Sequence, residues 1–321
     1  MIRVYRRGGQ GCVAHQQDGG AFAFDADTLW IDLIAPTVDE ERAVEAALGG
    51  LPLPTREEMA ELEASSRLYR EHGSTYVVSD LIHNGDADIP AIDPVTFVLT
   101  PGPLVTIRYF DPRPFSMMDE KLARDPTLCM AAPDLFLHLM EAVIDRASDV
   151  LSRNVARVEA IADHIFAGHK ATGFEKLITR LGRARTANAR IEQSLAGLAR
   201  IFTFVALDDR IEKDHEKAEH LRSLSRDARS LSDHNHAVAA SIDFQLSAAL
   251  GLINIEQSSI IKIFSVAAVA FMPPTLIASI YGMNFDHMPE LHWMQGYPLA
   301  ILAMLIAAIL PLLWFKKKGW L

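Results

Sequence analysis

Asn254, Ser258, Ile261, Ser265, Ala268, Met272, Thr275 and Ser279 recur at steps of four and three residues, and Gly282-Met283-Asn284 follows them. A repeat averaging 3.5 residues keeps one helical stripe aimed at a common axis. The stripe is uncharged, with hydroxyl or amide oxygens at Asn254, Ser258 and Thr275 and apolar breaks at Ile261, Ala268 and Met272. Such oxygens suit a hydrated hard cation such as Mg²⁺, which gives up its water reluctantly. Apolar constrictions between them can gate by dewetting. Small residues also serve plain helix packing in membranes, so the stripe alone supports two readings, a packing face or a pore lining shared by several copies.

The end of that helix supplies the remaining chemistry. Its last carbonyls carry the negative end of the helix dipole, which favours cations. Gly282 permits a backbone turn that other residues resist, and Asn284 adds an amide oxygen. No thiolate is nearby, so the site suits hard ions rather than soft ones.

Two uncharged runs must hold this turn in place. Residues 263–280 and 297–315 are 18 and 19 residues long and contain no Asp, Glu, Lys or Arg. Crossing a hydrocarbon core takes about 20 residues, so the pair predicts a transmembrane hairpin. Lys262 precedes the first run and Lys316, Lys317 and Lys318 follow the second, while the connecting loop has neither Lys nor Arg. Basic residues stay on the cytoplasmic side. Residues 1–30 contain no basic segment followed by an apolar run. The expected topology is therefore a multi-pass protein of the cell (inner) membrane with both termini in the cytoplasm. Glu290, in the outer loop, would attract cations to the entrance, and Asp286 has the same reading with less support.

The rest of the chain must carry this hairpin. At 321 residues it is too long for one compact core. Its net charge of −10 argues against a nucleic-acid partner and is compatible with handling cations. Cys12 and Cys129 have no paired spacing, so a disulfide framework is not expected and a reducing compartment fits. Strand-like runs at 2–5, 29–33, 75–78, 95–99 and 104–108, with helices expected at 37–48 and 55–64, predict an α/β domain over residues 1–125. Residues 134–272 lack proline and read as a helical array, with breaks near 168–173 and 207–209. The expected order is a helical hairpin and stalk at 130–262, a first span at 263–281, an external loop at 282–296, a second span at 297–315 and a basic tail at 316–321. The third helix meets no strong stop before Tyr281 and would be roughly 100 Å long.

Ile253-Asn254-Ile255-Glu256-Gln257, the run 260–266, Pro273-Pro274-Thr275-Leu276, Tyr281-Gly282-Met283-Asn284-Phe285, Met288-Pro289-Glu290-Leu291 and the ending at 314–321 closely resemble the CorA family of divalent-cation channels. A weaker echo lies at Glu63-Ala64-Ser65-Ser66-Arg67. The resemblance implies a funnel-shaped homopentamer, an α+β membrane protein whose cytoplasmic α/β domain and stalk continue into the first of two spans. Five first spans would line the pore, with Gly282, Met283 and Asn284 as the selectivity signature. It implies transport of Mg²⁺, commonly also Co²⁺ and Ni²⁺, and closure when cytoplasmic Mg²⁺ binds acidic residues between subunits. Asp86, Asp88 and Asp227 are the regulatory candidates. Where many members have an asparagine in the cytoplasmic half of the pore, this chain has Ser258.

Two other functions compete. A zinc transporter of the ZntB type would share the architecture, but those proteins typically depart from methionine in the signature and lack the Met-Pro-Glu-Leu loop found here at 288–291. A membrane-tethered enzyme or signalling protein would need a reactive cluster in its soluble part, and none is evident in the sequence, so an enzyme is not expected.

Overall fold

Alternation along the strands divides the core of the first unit into two layers. Phe97 and Leu99 face one side while Val98 faces the other, and Val77 lies opposite Tyr76 and Val78 in the same way. The computed structural model describes residues 1–8, 11–17, 24–61, 63, 67–129, 131–166, 173–283 and 288–319. Its strands are β1 (Ile2–Gly8), β2 (Gly11–Gln17), β3 (Thr28–Ile34), β4 (Leu68–Glu71), β5 (Ser74–His83), β6 (Ala91–Leu99) and β7 (Leu104–Arg108). They form one sheet in the order β2-β1-β3-β7-β6-β5-β4. β3 and β7 pair in parallel, with Trp30 opposite Leu104, and the other pairs are antiparallel.

One face of the sheet packs Ile31, Leu33, Val98, Val105 and Ile107 against Val44 of α1 (Val38–Ala47) and Met59 of α2 (Arg56–Met59). Both helices start from a capping box, Thr37 with Glu40 and Thr55 with Glu58, in which side chain and backbone satisfy each other's free groups. α2 is only four residues long, against the helix expected over 55–64. The other face packs Trp30, Phe97 and Leu104 against α3 (Arg113–Arg124), α4 (Ala132–Phe166), α5 (Phe174–Val205) and the early turns of α7 (His215–Tyr281), through Phe115, Phe136, Phe202 and Leu224. A four-residue helix, α6 (Asp209–Glu212), connects α5 to α7.

A buried polar network fixes the centre of this layer. Arg108 and Asp32 are 2% and 1% exposed and bond through both the Nε and Nη2 groups of the arginine. Thr106 donates to Asp32 at 2.7 Å, and the Trp30 indole donates to Thr106 at 2.9 Å. A carboxylate sealed from water persists only when its oxygens are bonded in this way.

The cysteines depart from expectation. Cys12 of β2 and Cys129 are joined in a disulfide, with Cα atoms 5.8 Å apart across 117 residues of sequence. Their separation in sequence gave no sign of this, because a fold can bring an edge strand beside any later turn. The argument for a reducing compartment therefore loses its cysteine support.

The chain divides into two compact units, one holding the sheet and helices up to Leu246, the other starting at Ser247 for the remainder of α7 and for α8 (Gly296–Lys317). α7 and α8 are each long and apolar enough to cross a membrane. A short 3-10 turn, Pro289–His292, precedes α8.

Candidate functional site

α7 holds the candidate residues because little along its 67 residues interrupts helix formation before its last turns. Pro273 and Pro274 sit inside the helix and lack the N–H groups that residues 269 and 270 would otherwise bond. The Thr275 hydroxyl donates to the Phe271 carbonyl at 2.7 Å, leaving its oxygen lone pairs free to accept.

All eight stripe residues, from Asn254 to Ser279, are exposed. Ile261 and Met272 are 64% and 69% exposed, as are off-stripe neighbours such as Phe264 and Phe271 at 71% and 72%. The covered residues of the same stretch are Val266 and Ala270, at 5% and 7%, with Ala267, Pro273, Pro274 and Ile277 half-buried. At 100° per residue this covered set lies on the opposite side of the helix from the stripe. α8 also hides one narrow face, at Ala300, Met304, Ala307, Ala308, Pro311 and Phe315, and exposes most of its other apolar side chains.

At the end of α7, the Gly282 amide donates to Ala278 at 2.9 Å and the Met283 amide to Ile280 at 3.2 Å. Gly282 is not among the described residues with positive φ. The sequence expectation of a special turn is corrected here, since the Gly282 amide continues the helical bonding pattern of α7 to Ala278. A Cβ on residue 282 would lie 3.1 Å from the Ala278 carbonyl oxygen, and that neighbour is backbone. Met283 is exposed. Asn284, Asp286 and His287 lie outside the described residues, and Glu290 is described only as part of the 3-10 turn.

The regulatory candidates sit in different settings. Asp86 is 3.5 Å from Arg146 and 3.6 Å from Arg153, and Asp88 is 3.1 Å from Arg183. Arg157 donates to the backbone carbonyls of Asp86, Ala87 and Asp88. A cation at either aspartate would compete with those arginines. Asp227, on α7, instead adds negative charge around Asp145 of α4.

A buried pair not anticipated from the sequence holds the sheet to α5. Arg67, the last residue of the short N-terminal motif, donates to Asp80 at 2.8 Å, and Gln193 of α5 donates to the same carboxylate at 3.0 Å. Burial alone would raise the Asp80 pKa, but the Arg67 and Gln193 hydrogen bonds and the nearby arginine charges hold it below the usual range. The only sequence signal was that motif, which marked Arg67 without its partner.

Residues 25–317 match the family described as CorA-like Mg²⁺ transporter protein. The chain is 34% identical over 295 residues to the magnesium transport protein CorA of Salmonella typhimurium, covering 92% of each chain. It is 35% identical over 297 residues to the protein of the same name from Yersinia pseudotuberculosis, covering 92% of this chain and 93% of the relative. Among solved structures, the CorA magnesium transporter from Methanocaldococcus jannaschii superposes with a TM-score of 0.79 at 18% identity, over 100% of this chain and 99% of that one. The full-length CmaX protein does so with a TM-score of 0.74 at 14% identity, over 100% and 98%. At those identities the structural likeness speaks for the fold.

Proposed function

This chain belongs to the CorA family, and on that premise we propose that it is a channel-like transporter carrying Mg²⁺ passively into the cell, with Co²⁺ and Ni²⁺ as alternative cargo. Family membership places it among transporters rather than enzymes. The observation that carries the proposal is the exposure of the whole uncharged stripe, from Asn254 to Ser279, on the face of α7 opposite its covered side. Closing several such faces around one axis gives a wet, uncharged passage. Five copies, the number implied by the family resemblance, would each contribute one stripe.

In this arrangement Asn254, Ser258 and Thr275 hydrogen-bond the water around the ion, while Ile261, Ala268 and Met272 form narrow apolar rings that close by dewetting. Gly282, Met283 and Asn284 form the outer filter, and Glu290 concentrates cations before it. Ser258 keeps a polar group where many family members have a longer asparagine. No motor is required. A divalent ion crossing 100 mV gains about 4.6 kcal/mol, twice the value for a single charge.

The protein lies in the cell (inner) membrane with both termini in the cytoplasm, a reading supported by the positions of Lys262 and Lys316–Lys318. Cytoplasmic Mg²⁺ closes the pore through acidic side chains between subunits. Asp227 fits that role better than Asp86 and Asp88, whose carboxylates already face arginines. Raising Mg²⁺ inside proteoliposomes should therefore slow entry, and unchanged entry would count against feedback.

The test is Mg²⁺ flux into liposomes carrying purified protein. Asn284→Ala should abolish flux while the oligomer persists on size exclusion, and full flux from that variant would remove the proposed filter. The zinc reading is separated by the same assay with Zn²⁺ and an imposed proton gradient. Proton-coupled Zn²⁺ uptake without Mg²⁺ uptake would favour it.

A further inference from the structure

The helices of the first unit carry a set of donor groups that the ion pathway does not use. His138 and Glu141 stand three residues apart on α4 and so share a face. His220, in the early turns of α7, reaches the same place. One ligand atom from each residue lies within 4.8 Å of both others. His138 Nδ1 is 3.3 Å from Glu141 Oε2, and His220 Nε2 is 3.9 Å from that same oxygen. The two imidazoles meet edge-on, with centroids 5.2 Å apart. Side-chain exposures of 29%, 47% and 27% leave the group open to water on one side.

These distances are close to those needed around one ion. Ligand atoms on a tetrahedral metal with bonds of about 2.0 Å lie roughly 3.3 Å apart. His138 and Glu141 already have that spacing, His220 lies about half an ångström further from Glu141 than it requires, and the two histidine nitrogens, within 4.8 Å of each other, must also close in. Two imidazoles, one carboxylate and a free side for water form a ligand set that suits Zn²⁺, and imidazole also suits Co²⁺ and Ni²⁺. Mg²⁺ is a poor match because it requires oxygen ligands in octahedral geometry.

The surroundings also favour a cation. Lys217, one turn before His220, is 3.3 Å from Asp134 and paired as well with Asp214. Asp145, one turn beyond Glu141 on α4, has its carboxyl held above the usual range, first by burial and then by the charge of Glu141, with Asp149 and Asp227 adding to it against Lys121. A positive ion at Glu141 would relieve that repulsion.

We propose that His138, Glu141 and His220 form a binding site for a borderline transition-metal cation (Zn²⁺, Co²⁺ or Ni²⁺) that ties α4 to the start of α7. It is separate from the Mg²⁺ pathway. α7 goes on to carry the pore stripe, so an ion here holds the first turns of the pore-lining helix.

Co²⁺ is the probe, because Co²⁺ bound by imidazoles at low coordination number absorbs visible light far more strongly than hydrated octahedral Co²⁺. Purified full-length protein is titrated with Co²⁺ in a large excess of Mg²⁺, so that Mg²⁺ occupies the pathway. The expected result is an intense band saturating at one Co²⁺ per chain and removed by Zn²⁺. His138→Ala and His220→Ala should each weaken the band's apparent affinity at least ten-fold. Zn²⁺ should also raise the melting temperature of the wild type and not that of the variants, since only a ligand of the folded state stabilises it. Absence of the band from wild-type protein, its displacement by Mg²⁺, or its survival in both histidine variants would overturn the proposal. The readout needs no ion flux, so its failure is distinguishable from failure of the transport reading.

Discussion

At Gly282 a hydrogen atom stands where any other side chain would place a carbon 3.1 Å from the Ala278 carbonyl oxygen. Relief takes a shift of a few tenths of an ångström in the carbonyl that already accepts the Gly282 amide. Gly282→Ala should lower Mg²⁺ flux several-fold while leaving assembly intact, and Gly282→Val should lower it further, as measured in proteoliposomes. Equal flux from all three proteins would show that space at residue 282 is unimportant. The glycine was legible in the sequence through its place after an apolar run, but the reason for it was not, since φ and close approach are properties of coordinates. Asp32 and Arg108 were less legible still. They meet across 76 residues of sequence, and nothing local marks either as half of a buried pair. Asp32→Ala leaves a buried guanidinium without its main partner and should cost about 3–5 kcal/mol. Circular dichroism melting would read this as a large drop in melting temperature, and an unchanged value would contradict the role given to the network.

Among the elements, α7 was the most legible. A stretch free of proline up to residue 272 predicted one long helix reaching Tyr281, and the structure has His215–Tyr281, continuing through Pro273 and Pro274. α2 and β4 were less so. The start of α2 at Thr55 is written in its capping box, but its end after four residues is not, and β4 is a four-residue edge strand recognisable mainly by its pairing with β5. The face of α7 was readable as a period, whereas which side remained uncovered required coordinates. From that face, Met272→Asn should place a polar group in an apolar ring and let water remain. Basal flux at high internal Mg²⁺ should rise several-fold, and flux equal to wild type would argue against a dewetting gate at this position.

The junction between sheet and helices predicts a pH dependence. Burial would raise the Asp208 pKa, but hydrogen bonds from Arg210 and Thr75 outweigh it and hold the carboxyl well below the ordinary range. Asp80 is lowered in the same sense. Depressed carboxylates give stability that is present above their unfolded value, near pH 4, and lost as pH falls through the folded values. Thermal melting should therefore drop on acidification below about pH 4, and less steeply in Asp208→Asn than in wild type. Identical slopes would remove Asp208 from the acid response.

For the whole molecule, the two helices long and apolar enough to cross a membrane were legible because uncharged runs are written in one dimension. The His138–Glu141–His220 cluster was not, because only the fold brings α7 beside α4. The disulfide between Cys12 and Cys129 was missed for the same reason. Oligomerisation follows from the proposed pore, since a single copy supplies only one wall. The most direct measurement places a cysteine on each side of α7 and follows Mg²⁺ entry into proteoliposomes as Cd²⁺ is added. Ser265→Cys, on the stripe, should give flux that Cd²⁺ blocks and a chelator restores, while Val266→Cys, on the covered face, and the unsubstituted protein should be unaffected. Block at Val266→Cys with none at Ser265→Cys would contradict a passage lined by the stripe.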